Sequence, residues 1–76
     1  MKFQRSALKQ LRKMDAQAAW RLMDALQKYE QDGSGDVKKL VNRNGYRIRA
    51  GDYRAIFKVE SGEVIVLDAG PRGGIY

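Results

Sequence analysis

The sequence has 76 residues, with fifteen lysines and arginines against nine acids, a formal net charge of +6 and a pI near 9.9. It contains neither cysteine nor histidine, which excludes disulfides, thiolate nucleophiles, imidazole acid–base catalysis and metal sites built on either ligand. A chain this short is expected to form one domain, residues 1–76, burying roughly 60–65 % of its unfolded surface and gaining stability from a partner.

No apolar run approaches the ~20 residues that span a bilayer, and the first residues lack the hydrophobic stretch of a signal peptide. A cytoplasmic protein with no membrane partner is the expectation. The basic balance points to nucleic acid, an anionic surface or an acidic protein as partner.

Residues 1–4 allow a short strand. Ser6 is placed to cap a helix over 7–14, where Leu8 and Leu11 share a face and Lys9, Arg12 and Lys13 surround the other. Asp15 is placed to cap a second helix over 16–31. There Ala19, Leu22, Met23, Leu26 and Tyr29 follow the spacing of an apolar stripe, with Trp20 covering its edge. Core packing, not aromatic recognition, is the ordinary fate of such a stripe. The two helices are expected to pair as an antiparallel hairpin.

Asp32-Gly33-Ser34-Gly35-Asp36 reads as a loop, and its acids do not have calcium-loop spacing. No metal and no cofactor are expected. The basic stretch 37–43 has Val37, Leu40 and Val41 as apolar anchors and leads into a sheet. In residues 45–58, Tyr46, Ile48 and Ala50 alternate with Arg47 and Arg49. Beyond the Gly51-Asp52 turn, Tyr53, Ala55, Phe57 and Val59 alternate with Arg54, Ile56 and Lys58. This is a hairpin with an apolar inner face and a cationic outer one. Ser61-Gly62 makes a second tight turn, and residues 63–69 read as a strand buried on both sides. The fold class is therefore α+β: an N-terminal helical hairpin packed on a small, mainly antiparallel sheet of three to four strands.

Three arginines at strand spacing cannot all be core residues, because an unpartnered buried guanidinium is very costly. They face water or an anion. Seven basic residues (Lys38, Lys39, Arg43, Arg47, Arg49, Arg54, Lys58) stand against the single acid Asp52 between positions 37 and 58, and the hairpin uses arginine, whose planar fork suits phosphate oxygens. The plain alternative is a solvated face, with Arg54 paired to Asp52 or Asp68.

The run Gly45-Tyr46-Arg47-Ile48-Arg49-Ala50-Gly51-Asp52-Tyr53-Arg54-Ala55-Ile56-Phe57, preceded by Asp36-Val37-Lys38-Lys39-Leu40 and followed by Gly62-Glu63-Val64-Ile65-Val66-Leu67 and Arg72-Gly73-Gly74-Ile75-Tyr76, resembles the RelE/ParE toxin superfamily of bacterial type II toxin–antitoxin systems. Ser6-Ala7-Leu8-Lys9-Gln10-Leu11 resembles the start of that family's first helix. The resemblance implies a small cytoplasmic toxin neutralised by a cognate antitoxin that wraps around it. RelE-like members cleave mRNA in the ribosomal A site, and ParE-like members inhibit DNA gyrase. In the RelE branch the work is attributed to basic residues on the sheet and an aromatic residue near the C-terminus, which here match Arg47, Arg49, Arg54, Arg72 and Tyr76. Two departures stand out: Pro71 replaces the His or Lys of many members, and the sequence ends at Tyr76 where many relatives continue.

On that resemblance the expected activity is metal-independent RNA cleavage by the RNA's own 2′-hydroxyl. Tyr76 is the candidate base, its phenolate favoured by nearby arginines. Arg54 and Arg72 hold the phosphate, Arg47 and Arg49 grip the flanking backbone, and Lys38, Lys39, Arg43 and Lys58 extend the RNA-binding surface. The alternatives are a ParE-like gyrase inhibitor that cleaves nothing, or an inactive antitoxin-binding module.

Overall fold

In the computed structural model, which describes residues 1–71, the chain runs β1 (Lys2–Phe3), α1 (Arg5–Lys13), α2 (Ala16–Asp32), β2 (Asp36–Lys39), β3 (Tyr46–Ala50), β4 (Tyr53–Glu60) and β5 (Glu63–Pro71). All five strands join one sheet in the order β1-β5-β4-β3-β2. Its neighbours are antiparallel except β1, which pairs parallel with β5. The α+β class expected from the sequence is present, but with five strands rather than three to four. The short strand allowed at residues 1–4 is present as β1, two residues long, and the strand beyond the expected four is β2, four residues long at the other edge. A segment that short carries too few alternations to register as a strand.

Asp15 caps α2 as expected, its Oδ2 accepting from the Ala18 N–H at 3.2 Å. Ser6 does not cap α1. Gln4 holds the N-cap position, and the Ser6 hydroxyl instead donates to the Leu67 carbonyl at 2.6 Å, tying the first helical turn to β5. Ala7 and Leu11 of α1 and Ala19, Leu22 and Leu26 of α2 are buried in one cluster with Ile48, Ala55, Phe57, Val64, Val66 and Ala69 of the sheet. Both helices therefore cover the same sheet face. Each packs mainly on the sheet, α1 over β5 and α2 chiefly over β3, rather than on the other. Phe57 sits at the middle, with Tyr29 edge-on at 5.1 Å and Tyr46 stacked at 5.5 Å. Trp20 does not cover the stripe; it is 68 % exposed.

One turn and one bulge set the register of β4 against β5. Ser61 and Gly62 both have positive φ, 52° and 78°, as a two-residue primed hairpin turn requires. Along β4 and β5 the pairing runs regularly from Glu60↔Glu63 to Phe57↔Val66, then jumps to Ile56↔Asp68, leaving Leu67 as a bulge. The extra residue reverses the side-chain parity of β5 beyond it. Ala69 therefore pairs with Ala55 and enters the core, while Asp68 pairs with Ile56 on the opposite face. Residues 63–69 are accordingly not buried on both sides: Val64 and Val66 are, whereas Ile65 and Leu67 are half-exposed.

The N-terminal ammonium of Met1 lies 3.1 Å from Glu30 Oε2 and 3.3 Å from Glu63 Oε2. Glu30 Oε2 also accepts the Val64 N–H at 2.9 Å. This clasp joins the end of α2 to the start of β5.

Candidate functional site

Residues directly opposite in a ladder share a sheet face. The face away from the helices is therefore read from the register: one row is Lys38–Arg47–Ile56–Asp68 and the next is Asp36–Arg49–Arg54–Gly70. Arg47, Arg49 and Arg54 thus share this outer face, and Lys38 extends it to the edge strand. Lys58 lies on the same face beyond Ile56, opposite Ile65, with its Nζ 3.3 Å from Glu60. Lys39 pairs with Tyr46 and belongs to the helix-side face. No described helix covers the outer face.

Ile56 is fully buried although it lies outside the helix-side core. Its outer-face neighbours are Arg47 across the ladder, Asp68 on the other side, and Arg54 and Lys58 two positions away along β4. The Nε atoms of Arg47 and Arg54 are themselves shielded from solvent. The outer face therefore carries a buried apolar residue among its basic ones, and the guanidinium groups of Arg47 and Arg54 are partly withdrawn from solvent. Asp68 directs its Oδ1 to the Ala69 N–H at 2.9 Å.

At the sheet edge, Lys38, Lys39, Arg43 and Arg47 stand around Leu40 and Val41 in a concavity of about 380 Å³. The β2–β3 connection is closed by the Leu40 N–H donating to the Gly45 carbonyl at 3.1 Å. The concavity takes in Arg47 but neither Arg49 nor Arg54. The basic residues therefore divide into a sheet group (Arg47, Arg49, Arg54, with Lys58 beyond) and a loop group (Lys38, Lys39, Arg43), joined through Arg47. Val41 is not an apolar anchor: it is 94 % exposed. The flanking Asn42, Asn44 and Gly45 are the sequence signal for that loop.

Arg72 and Tyr76, the remaining expected site residues, lie outside the described residues. Among the described residues no cluster of three or more histidine, cysteine, aspartate or glutamate side chains is arranged to hold a metal ion. No described helix is long and apolar enough to cross a membrane. The described site is thus a cationic surface, its guanidinium and ammonium groups of the chemical kind that suits phosphate oxygens.

The family described as ParE toxin of type II toxin-antitoxin system, parDE, matches residues 1–76. No curated protein sequence matches the chain. Among solved structures, the RelB–RelE antitoxin–toxin complex from Methanococcus jannaschii contains a chain 25 % identical to this one with a TM-score of 0.79, the match covering 100 % of this chain and 95 % of that one. The archaeal RelE–RelB complex from Pyrococcus horikoshii OT3 gives 27 % identity and a TM-score of 0.77 over 96 % and 93 %. The YoeB dimer from Staphylococcus aureus shares the fold, with a TM-score of 0.71 at 18 % identity over 88 % of each chain.

Proposed function

The chain belongs to the ParE toxin family of type II toxin–antitoxin systems, and from that premise we propose that it is a single-domain cytoplasmic toxin that cleaves mRNA on the ribosome. The observation that carries this reading is the sheet face opposite the two helices, where Arg47, Arg49, Arg54 and Lys38 fall in two adjacent cross-strand rows. Guanidinium forks spaced along neighbouring strands match the oxygens of successive phosphates.

In the proposed reaction the RNA 2′-hydroxyl loses its proton to the Tyr76 phenolate and its oxygen attacks the adjacent phosphorus. The bond from phosphorus to the 5′-oxygen breaks. A 2′,3′-cyclic phosphate remains on one fragment, and the departing 5′-oxygen takes a proton from water. Arg54 and Arg72 hold the non-bridging oxygens as charge builds on them, which is the preorganised stabilisation that catalysis of this kind needs. Arg47 and Arg49 hold the flanking backbone. The ribosome orients the message, an advantage worth about 7–11 kcal/mol in favourable cases.

A cognate antitoxin is the proposed protein partner, supported by two similar structures that are antitoxin–toxin complexes. The net charge of +6 favours an acidic, partly disordered one. A second reading, inhibition of DNA gyrase without cleavage, is favoured by the family description, which names ParE. Primer-extension mapping of messages after induced expression separates them. Cuts at fixed codon positions support the nuclease; intact messages with DNA-damage signalling support the gyrase inhibitor. Unaffected growth leaves an inactive antitoxin-binding module.

A further inference from the structure

The concavity at the β2–β3 loop differs from the arginine rows in one respect. Its lining sets four cations beside two apolar side chains, Leu40 and Val41. Of the four large hydrophobic side chains exposed among the described residues, Val41 is the most exposed, at 94 %. No acidic residue lines the concavity. A bare phosphate gains nothing from exposed apolar side chains, and an uncharged hydrophobe gains nothing from four cations. A ligand that uses both carries an apolar planar body and negative charge on one short frame.

We propose that this concavity is a binding subsite for one unstacked ribonucleotide adjacent to the cleaved linkage, its base lying on Leu40 and Val41 and its phosphates held by Lys38, Lys39 and Arg43. This rests on the RNA-cleaving reading and deepens it. The volume of about 380 Å³ lies within the range of pockets that take ligands of this class. Arg47 belongs to both the concavity and the outer-face row, so a strand crossing the arginines continues into the loop without leaving the cationic surface. Single-stranded RNA is recognised by splaying a base out of its stack while the backbone is tracked by charge. Asn42 also lines the concavity and supplies an amide of the kind that pairs with a base edge. The loop that carries these residues is held at its neck by the Leu40–Gly45 hydrogen bond.

The test is anisotropy binding of fluorescent, non-cleavable 2′-O-methyl RNAs of two to six nucleotides to the whole chain. Val41→Asp and Arg43→Ala are compared with the unaltered protein, and circular dichroism checks that each variant folds. With a one-nucleotide subsite, affinity rises in one step as the oligonucleotide becomes long enough to reach the loop. Val41→Asp removes that step, on the order of fivefold for the loss of one aliphatic contact. Arg43→Ala lowers the slope of log affinity against log salt by about 0.7, one phosphate contact on a single strand. If RNA binds and neither variant changes the step or the slope, the subsite is wrong while the arginine face stands. If no RNA of any length binds, the RNA reading fails and the subsite with it. If an acidic leucine-bearing peptide displaces the RNA and loses its own binding in Val41→Asp, the concavity belongs to a protein partner and the proposal is overturned.

Discussion

Arg49 of β3 and Arg54 of β4 occupy one register position, directly opposite each other on the face that the helices leave uncovered. Side chains so placed have Cβ atoms about 4.5–5.5 Å apart, and like charges there oppose pairing of the strands. Asp36 sits opposite Arg49 on its other side and offsets part of this repulsion. For folding alone, then, Arg49 contributes little; under the proposed function an anion bound beside it would give it a favourable role.

Arg49→Thr therefore separates fold from function. Threonine suits a strand, so stability should stay within about 0.5 kcal/mol of the original in urea unfolding. Growth arrest on induction should weaken clearly. A variant that loses stability yet keeps full toxicity would mean that Arg49 serves the sheet and not a ligand.

Arg54 needs a different substitution, because its Nε is shielded from solvent. Arg54→Ala removes packing and charge together. Arg54→Met keeps an apolar stem of similar reach and removes the charge alone. Loss of one preorganised donor typically costs about 100- to 1,000-fold in rate. Message cleavage by Arg54→Met should fall by that order while circular dichroism shows the fold retained. Arg54→Lys should not restore it, since an ammonium cannot make the two-pronged contact. Cleavage at the original rate in Arg54→Met removes Arg54 from the chemistry.

The two long strands, the turn at Ser61-Gly62 and the α2 cap at Asp15 were legible because each rests on a local rule: period-two alternation, a primed turn, a carboxylate at a helix start. The alternation also put the three arginines on one face. What was hidden depends on partners distant in sequence. Ser6 has the chemistry of a cap but spends its hydroxyl on Leu67, 61 residues away. The bulge at Leu67 reverses the parity of β5, so Asp68 and Ala69 exchange the faces that a regular strand would give them. Ile56 lies on the cationic side and is buried there, which alternation alone cannot express. The edge strand β2 exists because β3 supplies its hydrogen-bonding partner, and not through any pattern of its own, whereas β1 falls in the short strand that residues 1–4 allow.

The clasp at Met1 predicts a stability plateau with two shoulders. Glu30, the larger influence, and Glu63 raise the α-ammonium pKa above its ordinary value of about 8. Its stabilisation is complete below that pH and is lost as pH rises through the raised value. The Glu30 carboxyl is lowered first by the Val64 N–H and then by the ammonium, so its stabilisation is present above the ordinary carboxylate range and is lost as pH falls through the lowered value. Asp32, lowered by Ser34, adds to the acid limb. Thermal melts across pH should fall at both ends. Glu30→Gln should flatten the alkaline limb most and part of the acid one. An alkaline limb unchanged in Glu30→Gln would show that the ammonium draws nothing from this carboxylate.

Gly45 is the backbone position on which both the sheet and the loop depend. Its φ is +127°, a conformation that side chains rarely adopt, and a Cβ there would stand 2.9 Å from the Phe57 carbonyl oxygen and 3.6 Å from Leu40 Cδ1. The oxygen belongs to the backbone of the central strand and cannot swing aside, so the loop must move. Gly51, with a φ of +62° and nothing within 4 Å of a built Cβ, carries the dihedral strain without the clash. Strain of that kind costs on the order of 1–3 kcal/mol. Gly51→Ala should therefore lower the urea midpoint moderately and leave RNA binding intact. Gly45→Ala should lower it further and also disturb the Leu40–Gly45 hydrogen bond that holds the concavity, so its RNA affinity falls even where the protein remains folded. Equal midpoints for the two variants would show that the β2–β3 neck yields easily, and a loop that yields easily is a poor floor for a base.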